Sequence, residues 1–383
     1  MDRREVPALK THRSVLGADG MDLFPAGVAD MDFRAPDCVT RAMQTRLDHG
    51  VFGYETVPDG LMPALTGWLK RRHGWTVQTK HILRAPNVLN ALSMALCGST
   101  EQGDGVIVQP PVFFDFYDIL RENDRKIVRN PLVLADGRYS FDFNGLERCA
   151  RDPDVKVLLL CNPHNPMGRV WTESELRRLG QICARHKVLV ISDEMHGDLA
   201  LSGHRYVPFA SLGSEFATNS VTCLSPAKSF NIAACCSAFT VVPDDTRRAT
   251  FMAANSRLTV NKNNAFANVA MQAAYAGGDA WLESVLDYIE GNLDLVRDRL
   301  ARLPQVDLID PEGTFLLWLD FRALGLPPDE LTAFLRQKAE WAVTSGQAFG
   351  PEGNGFARLN IGCTRARLSR ALDQLETAIT RHG

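Results

Sequence analysis

The sequence predicts an α/β protein: a large, mostly parallel sheet between helices, followed by a smaller α+β unit. Three observations carry this. Short apolar runs, Val155-Lys-Val-Leu-Leu-Leu160 and Val188-Leu-Val-Ile-Ser192 above all, alternate with helical patterns. Strands that are apolar along their whole length belong to sheets covered on both faces. Behind three such runs stand polar segments, where open α/β sheets bind ligands. After Asn264 the pattern changes to long helices and a few strands, and 383 residues are enough for two domains.

The elements follow in order. Residues 1–45 are polar and irregular, with Val28-Ala-Asp-Met-Asp-Phe33 embedded and a helix over Pro36–His49 stopped by Gly50. Gly53-Tyr-Glu55 reads as a loop and Pro63–Gly74 as a second helix, whose Lys70-Arg-Arg-His73 reads as its exposed end. Ile82-Leu83 is a short strand and Val88–Leu96 a helix. Gly105–Gln109, Val155–Leu160, Val188–Ser192 and Val221–Leu224 are buried strands. Between them, Ser174–His186 is an amphipathic helix, with Thr172 as N-cap and Glu175 completing a capping box. Asn264–Leu303 is helical and broken at Gly277-Gly278. Strands over Phe315–Leu319 and Phe356–Ile361 flank a helix over Asp329–Glu340, and a last helix starts at Arg365. The expected division is 1–45, joined to a small domain at 287–383, and a large domain at 46–286.

Composition narrows the class. Hydrophobic residues make up 45% and charged residues 23%, an ordinary globular balance. A net charge of −3 gives no electrostatic reason to expect nucleic acid or an anionic membrane. No apolar run approaches the roughly 18 residues of a spanning helix. The charged start, Met1-Asp-Arg-Arg-Glu5, is not followed by an apolar core as a secretory signal would be. A cytoplasmic location is the default expectation. The nine cysteines are scattered with no CxxC pair, so they read as reduced, mostly buried thiols with no metal role.

The chemistry gathers at strand ends. Asn162-Pro-His-Asn-Pro-Met-Gly168 follows one strand, Asp193-Glu-Met-His196 the next, and Ser225-Pro-Ala-Lys228 a third. These segments are distant in sequence, yet a parallel sheet brings them to one edge. With Val28–Phe33, Phe52-Gly-Tyr-Glu-Thr56 and Arg358-Leu-Asn-Ile-Gly-Cys363, they span nearly the whole chain. In this order they resemble the fold-type I pyridoxal 5'-phosphate (PLP) enzymes, the aspartate aminotransferase superfamily. More narrowly, the chain is similar to the MalY/PatB-type cystathionine β-lyases, which are C–S lyases.

The resemblance implies a seven-stranded PLP-binding domain and a role for each residue. Lys228 would carry the cofactor as a Schiff base and, once freed by substrate, move the Cα proton. Asp193 would pair with the pyridinium nitrogen and keep the ring an electron sink. Asn165 and His196 would face the phenolic oxygen, and Phe113 would stack on the ring. Ser225 and the backbone N–H groups of Asn87, Val88 and Leu89 would hold the phosphate at a helix start. Tyr54 would reach the phosphate of a neighbouring subunit, which implies a homodimer with shared sites. Arg358 would grip the substrate carboxylate with two parallel hydrogen bonds, supported by Asn360, Val28 and Asp30. The implied substrate is an amino acid with a β-thioether.

Several positions depart from the family pattern. Phe113 replaces a tyrosine, Gly27 a tryptophan, Asn87 a glycine and Met167 a threonine; Ala234-Cys235 replaces Gly-Leu. These departures bear on the substrate more than on the cofactor. Three readings compete with α,β-elimination. An aminotransferase shares the same early steps. A non-catalytic PLP-fold module has no need to keep Lys228, Asp193, Ser225 and Arg358 together. A nicotinamide dehydrogenase needs a GxGxxG turn that the chain lacks.

Overall fold

The structure is a computed structural model that describes residues 3, 5–17, 22–259 and 264–382. Part of the charged start read above, Met1, Asp2 and Arg4, lies outside these. The main sheet contains β1 (Ile82–Ala85), β2 (Gly105–Val108), β3 (Lys126–Arg129), β4 (Val155–Cys161), β5 (Leu189–Asp193), β6 (Ser220–Leu224) and β7 (Ala238–Val241). They lie in the order β1-β7-β6-β5-β4-β2-β3. All pairings from β3 across to β6 are parallel, while β7 runs antiparallel to both of its neighbours.

The strands alternate between two cores. Val106, Val108, Val157, Leu159, Ile191 and Val221 pack on one face. Ile107, Leu158, Leu160 and Val190 pack on the other. This double burial explains why β4 and β5 read as unbroken apolar runs. The edge strand β3 escaped the sequence reading because Lys126 and Arg129 face solvent at its ends. Charged, short edges of this kind resist pairing with other chains. Strand β7 was also missed, as were the helices α1 (Asp115–Glu122), Phe143–Ala150 and Asp245–Leu258.

Local signals placed the remaining helices well. Thr172 caps Glu173–Arg185 with a complete capping box, and Gly50 closes Asp37–His49 at φ 74°. Helix Pro328–Gln337 stops three residues before the expected Glu340. Glu340 sits at φ 57°, which turns the chain so that Trp341–Ala342 can pair with Phe24–Pro25. The basic run at 70–73 is not simply exposed. His73 bonds Asp198 at 2.7 Å, and Arg71 and Arg72 pair with Asp279 and Glu283 at 3.0 and 2.5 Å.

A second sheet contains β8 (Asp307–Ile309), β9 (Leu316–Asp320), β10 (Thr344–Ser345) and β11 (Phe356–Asn360), in the order β8-β9-β11-β10 with antiparallel pairing. The parallel pairing of Phe24–Pro25 with Trp341–Ala342 joins the N-terminal segment to this end of the chain. All nine cysteines are free, but only Cys161, Cys183, Cys223 and Cys363 are buried. The expectation of mostly buried thiols is corrected on that point. Cys38, Cys149, Cys235 and Cys236 are half-buried, and Cys97 is exposed.

Candidate active site

The carboxyl ends of β4, β5 and β6 open on a cavity of about 240 Å³. Each of the three predicted segments reaches it. Lys228, Asp193, His196, Asn165 and Ser225 stand on its wall together with Asn87, Val88, Leu89 and Phe113. Nine of the candidate residues therefore converge on one space, although 141 positions separate Asn87 from Lys228.

The Lys228 amine donates to Ala29 O at 2.6 Å. Burial, aided by the charge of Arg358, brings its pKa down to about 8. The lysine therefore becomes mainly the free, nucleophilic amine once the pH passes that value, well below where a hydrated lysine does. Asp193 ends β5 and accepts the Met195 N–H at 3.2 Å. Burial raises its pKa to about 6. A cation placed against it would pull that value back down. His196 is buried and Nδ1 has no partner. Desolvation and the nearby cations Lys228 and Arg358 push its pKa down to about 3, so the ring is neutral.

Asn165 is held by a rigid loop. His164 Nε2 bonds Pro111 O at 2.9 Å, and the Asn165 N–H donates to Cys161 Sγ at 3.3 Å. Arg169 fixes the far side of the loop through Glu175 at 2.7 Å, Tyr139 O at 2.8 Å and Glu312. Asn165 Oδ1 accepts from Arg358 Nη1 at 2.9 Å. Arg358 Nη2 donates to Gly27 O at 2.7 Å and to Thr344 Oγ1 at 3.3 Å, while Nε is buried without a partner. Burial lowers the Arg358 pKa to about 10, which still leaves it charged.

At the other end, Asn87 caps helix Val88–Cys97 by accepting the Asn90 N–H at 2.8 Å. The first-turn amides are left for an anion. Asn87 is extended, φ −156°, so its replacement of a glycine needs no unusual backbone. Ser225 Oγ donates to Ser237 O at 2.9 Å and lies 3.5 Å from Cys236 Sγ.

Five candidates are not on the cavity wall of this chain, and Arg358, behind Asn165, is one of them. Asn360 donates to Val28 O at 2.6 Å and to Asp30 O at 2.7 Å. It holds the N-terminal segment rather than facing the cavity, and Val28 enters through its carbonyl. The Asp30 carboxylate is bound by Arg3 at 2.8 Å. Tyr54 is fully exposed. Among the departures, Met167 is buried in the core. Cys236 and Ala233, not Cys235 and Ala234, reach the wall. Sequence reasoning also missed Asp115, Cys161, Met195 and Ser237 on that wall. Asp115 could have been found as the acid just behind Pro111-Val-Phe-Phe114.

The fold agrees with comparison to known proteins. The chain matches the aminotransferase class I and II family over residues 25–375. It is 45% identical to the cystathionine β-lyase PatB of Bacillus subtilis over 360 residues, 94% of this chain and 93% of PatB. It is 33% identical to the protein MalY of Escherichia coli, covering 94% and 92% of the two chains. The crystal structure of cystalysin from Treponema denticola, which contains a pyridoxal 5'-phosphate cofactor, superposes with a TM-score of 0.96 at 30% identity, covering 100% of this chain and 98% of cystalysin. The chain belongs to the aminotransferase class I and II family.

Proposed function

We propose that the protein is a PLP-dependent C–S β-lyase that cleaves an amino-acid β-thioether to a thiol, pyruvate and ammonia. The observation that carries this is the half-buried Lys228 amine, with its pKa near 8, sharing one cavity with Asp193, Asn165 and Ser225. The relatives of this chain include PatB, named a cystathionine β-lyase.

The residues present fit the cofactor. The unpartnered Nδ1 of His196 and the uncapped amides at Val88 and Leu89 are polar groups aimed at a space with no protein partner. Ser225 and those amides would hold the phosphate, Asp193 the ring nitrogen, and Asn165 and His196 the phenolic oxygen. Phe113 would cover one ring face. Bound PLP supplies an aldehyde for amines and a ring that accepts the electron pair left at Cα.

The chain's own groups do the rest. Arg358 binds and orients the substrate carboxylate, already aligned by Asn165 and Gly27 O. The Lys228 Nζ, once free, takes the proton from Cα. A half-buried cavity limits water around that carbon. Loss of the β-thiolate then follows, because the C–S bond breaks as the pair at Cα moves toward Cβ; the thiolate takes up a proton, and the released 2-aminoacrylate is hydrolysed by water to pyruvate and ammonia.

The exposed run Val51, Phe52 and Tyr54 supports a homodimer in which Tyr54 completes the neighbouring subunit's phosphate site. Nine free thiols support a cytoplasmic location. Among the described residues no helix is long and apolar enough to cross a membrane.

The test is pyruvate and thiol release from cystathionine and S-alkylcysteines by the PLP-loaded enzyme. Stoichiometric pyruvate and thiol are expected. Turnover only with a 2-oxo acid acceptor, with no pyruvate from any thioether, would replace the lyase reading by transamination.

A further inference from the structure

We propose that Asp115 determines specificity by selecting thioethers whose sulfur-side group carries a positive charge, such as an ammonium. The proposal rests on the lyase reading and names the substrate class that this cavity takes.

Asp115 opens α1, directly after Phe113-Phe114, and its half-buried side chain lies on the cavity wall. Asp193 and Asp115 are the two carboxylates among the wall residues. Asp193 ends a central strand and faces the ring nitrogen in the reading above. Asp115 has no such assignment. Among the described residues its carboxylate has no hydrogen-bond or ion-pair partner.

Its surroundings say which side of the cavity it serves. Lys228 and Arg358 are the cations whose charge acts on Asp115, and Asp118 and Glu122 are the acids. Arg358 in turn feels Asp115. Asp115 therefore stands near the substrate-facing groups, yet neither cation pairs with it. Arg358 donates to Asn165, Gly27 and Thr344 and not to Asp115, and Lys228 donates to Ala29 O.

Charge accounting on the substrate then leaves one group. Every amino-acid substrate brings an α-amine, consumed at the cofactor aldehyde, and an α-carboxylate, held by Arg358. Neither needs Asp115. Much of the surrounding wall is apolar, with Phe113, Val88, Leu89 and Met195. An unpaired carboxylate on such a wall loses hydration when a neutral group covers it. It repels an anion and is satisfied by a cation. Burial and the nearby Asp118 already hold its pKa above the usual carboxylate range, as expected of an acid that still lacks a partner.

The experiment compares the holoenzyme on S-(2-aminoethyl)-L-cysteine and S-propyl-L-cysteine, which match in size and differ in charge. The expected kcat/KM ratio favours the aminoethyl substrate by at least about tenfold. In Asp115→Asn that ratio falls toward one. A wild-type ratio at or below one, or a ratio that Asp115→Asn leaves unchanged, overturns the proposal. A general structural defect would lower both substrates together and leave the ratio standing. A second measurement needs neither a variant nor turnover. L-lysine and L-2-aminoheptanoate, the sulfur-free counterparts, are titrated against wild-type holoenzyme by cofactor absorbance. Lysine should bind at least about tenfold tighter, and equal binding sinks the proposal. Failure to release pyruvate from any thioether, with lysine still preferred, would count against the lyase reading alone.

Discussion

On the sheet side of the cavity, Asn165, Asp193, Ser225 and Lys228 each stand within a few residues of the end of β4, β5 or β6. On the opposite side, Arg358 reaches Gly27 O across 331 positions, and Asn360 reaches Val28 O across 332. Lys228 bridges the two by donating to Ala29 O. Asn231 ties down the same segment through Met31 and Phe33. The first wall is made of local motifs on a rigid sheet. The second is made of backbone carbonyls held by distant side chains. In the proposed function, cofactor chemistry would depend on the strand ends, and substrate fit on the register between the two ends of the chain.

Breaking the sheet side has the largest expected effect. Lys228→Ala should lower thioether cleavage by about 10⁴-fold or more, since both the covalent attachment and the proton carrier are lost. Its bound-cofactor absorption should change at the same time. Cleavage within tenfold of wild type would remove Lys228 from the centre.

Arg358→Lys probes the opposite side. One ammonium cannot hold Asn165, Gly27 O and a carboxylate in a planar fork. We expect kcat/KM to fall about 100-fold, mainly through KM, in steady-state kinetics. A fall confined to kcat would place Arg358 elsewhere in the reaction.

Asn360→Ala sharpens the comparison further. It removes one of the two donors from each of the half-buried carbonyls of Val28 and Asp30, which keep the Asp30 N–H and Lys10 Nζ, for a loss of about 1–2 kcal/mol in denaturant unfolding. KM should rise a few-fold because Ala29 on the cavity wall loosens. An unchanged unfolding midpoint would show that the N-terminal segment is held by other contacts.

The smallest effect is on pH. With its pKa near 8, Lys228 becomes the neutral nucleophile as pH rises through that value. Uptake of PLP by the cofactor-free protein should therefore speed up from about pH 7 to about pH 9 and then level off. A rate still climbing toward pH 10 would mean an ordinary, hydrated lysine.

Much of the sheet was legible because doubly buried strands such as β4 and β5 leave unbroken apolar runs, and because caps such as Thr172 act locally. Strand β3 was not, since its ends are charged, and helix Pro328–Gln337 was drawn too long, since nothing local announces the left-handed Glu340. In the site, Lys228 and Asp193 were legible from short spacing. Cys236 was not, because it reaches the wall only through the packing of neighbouring elements, and Asp115 was marked only by its place behind Pro111-Val-Phe-Phe114.

By itself the sequence determined the alternating core pattern, the strand-end motifs and the types of group that could hold a phosphate, a ring and a carboxylate. Those are properties of neighbouring residues and follow from periodicity and local chemistry. The tertiary structure alone decided that Asn360 secures the N-terminal segment, that Asp30 pairs with Arg3, and that Asp115 faces the cavity unpaired. Such facts depend on which side chains meet across hundreds of residues, and burial and electrostatics act through that meeting rather than through position along the chain.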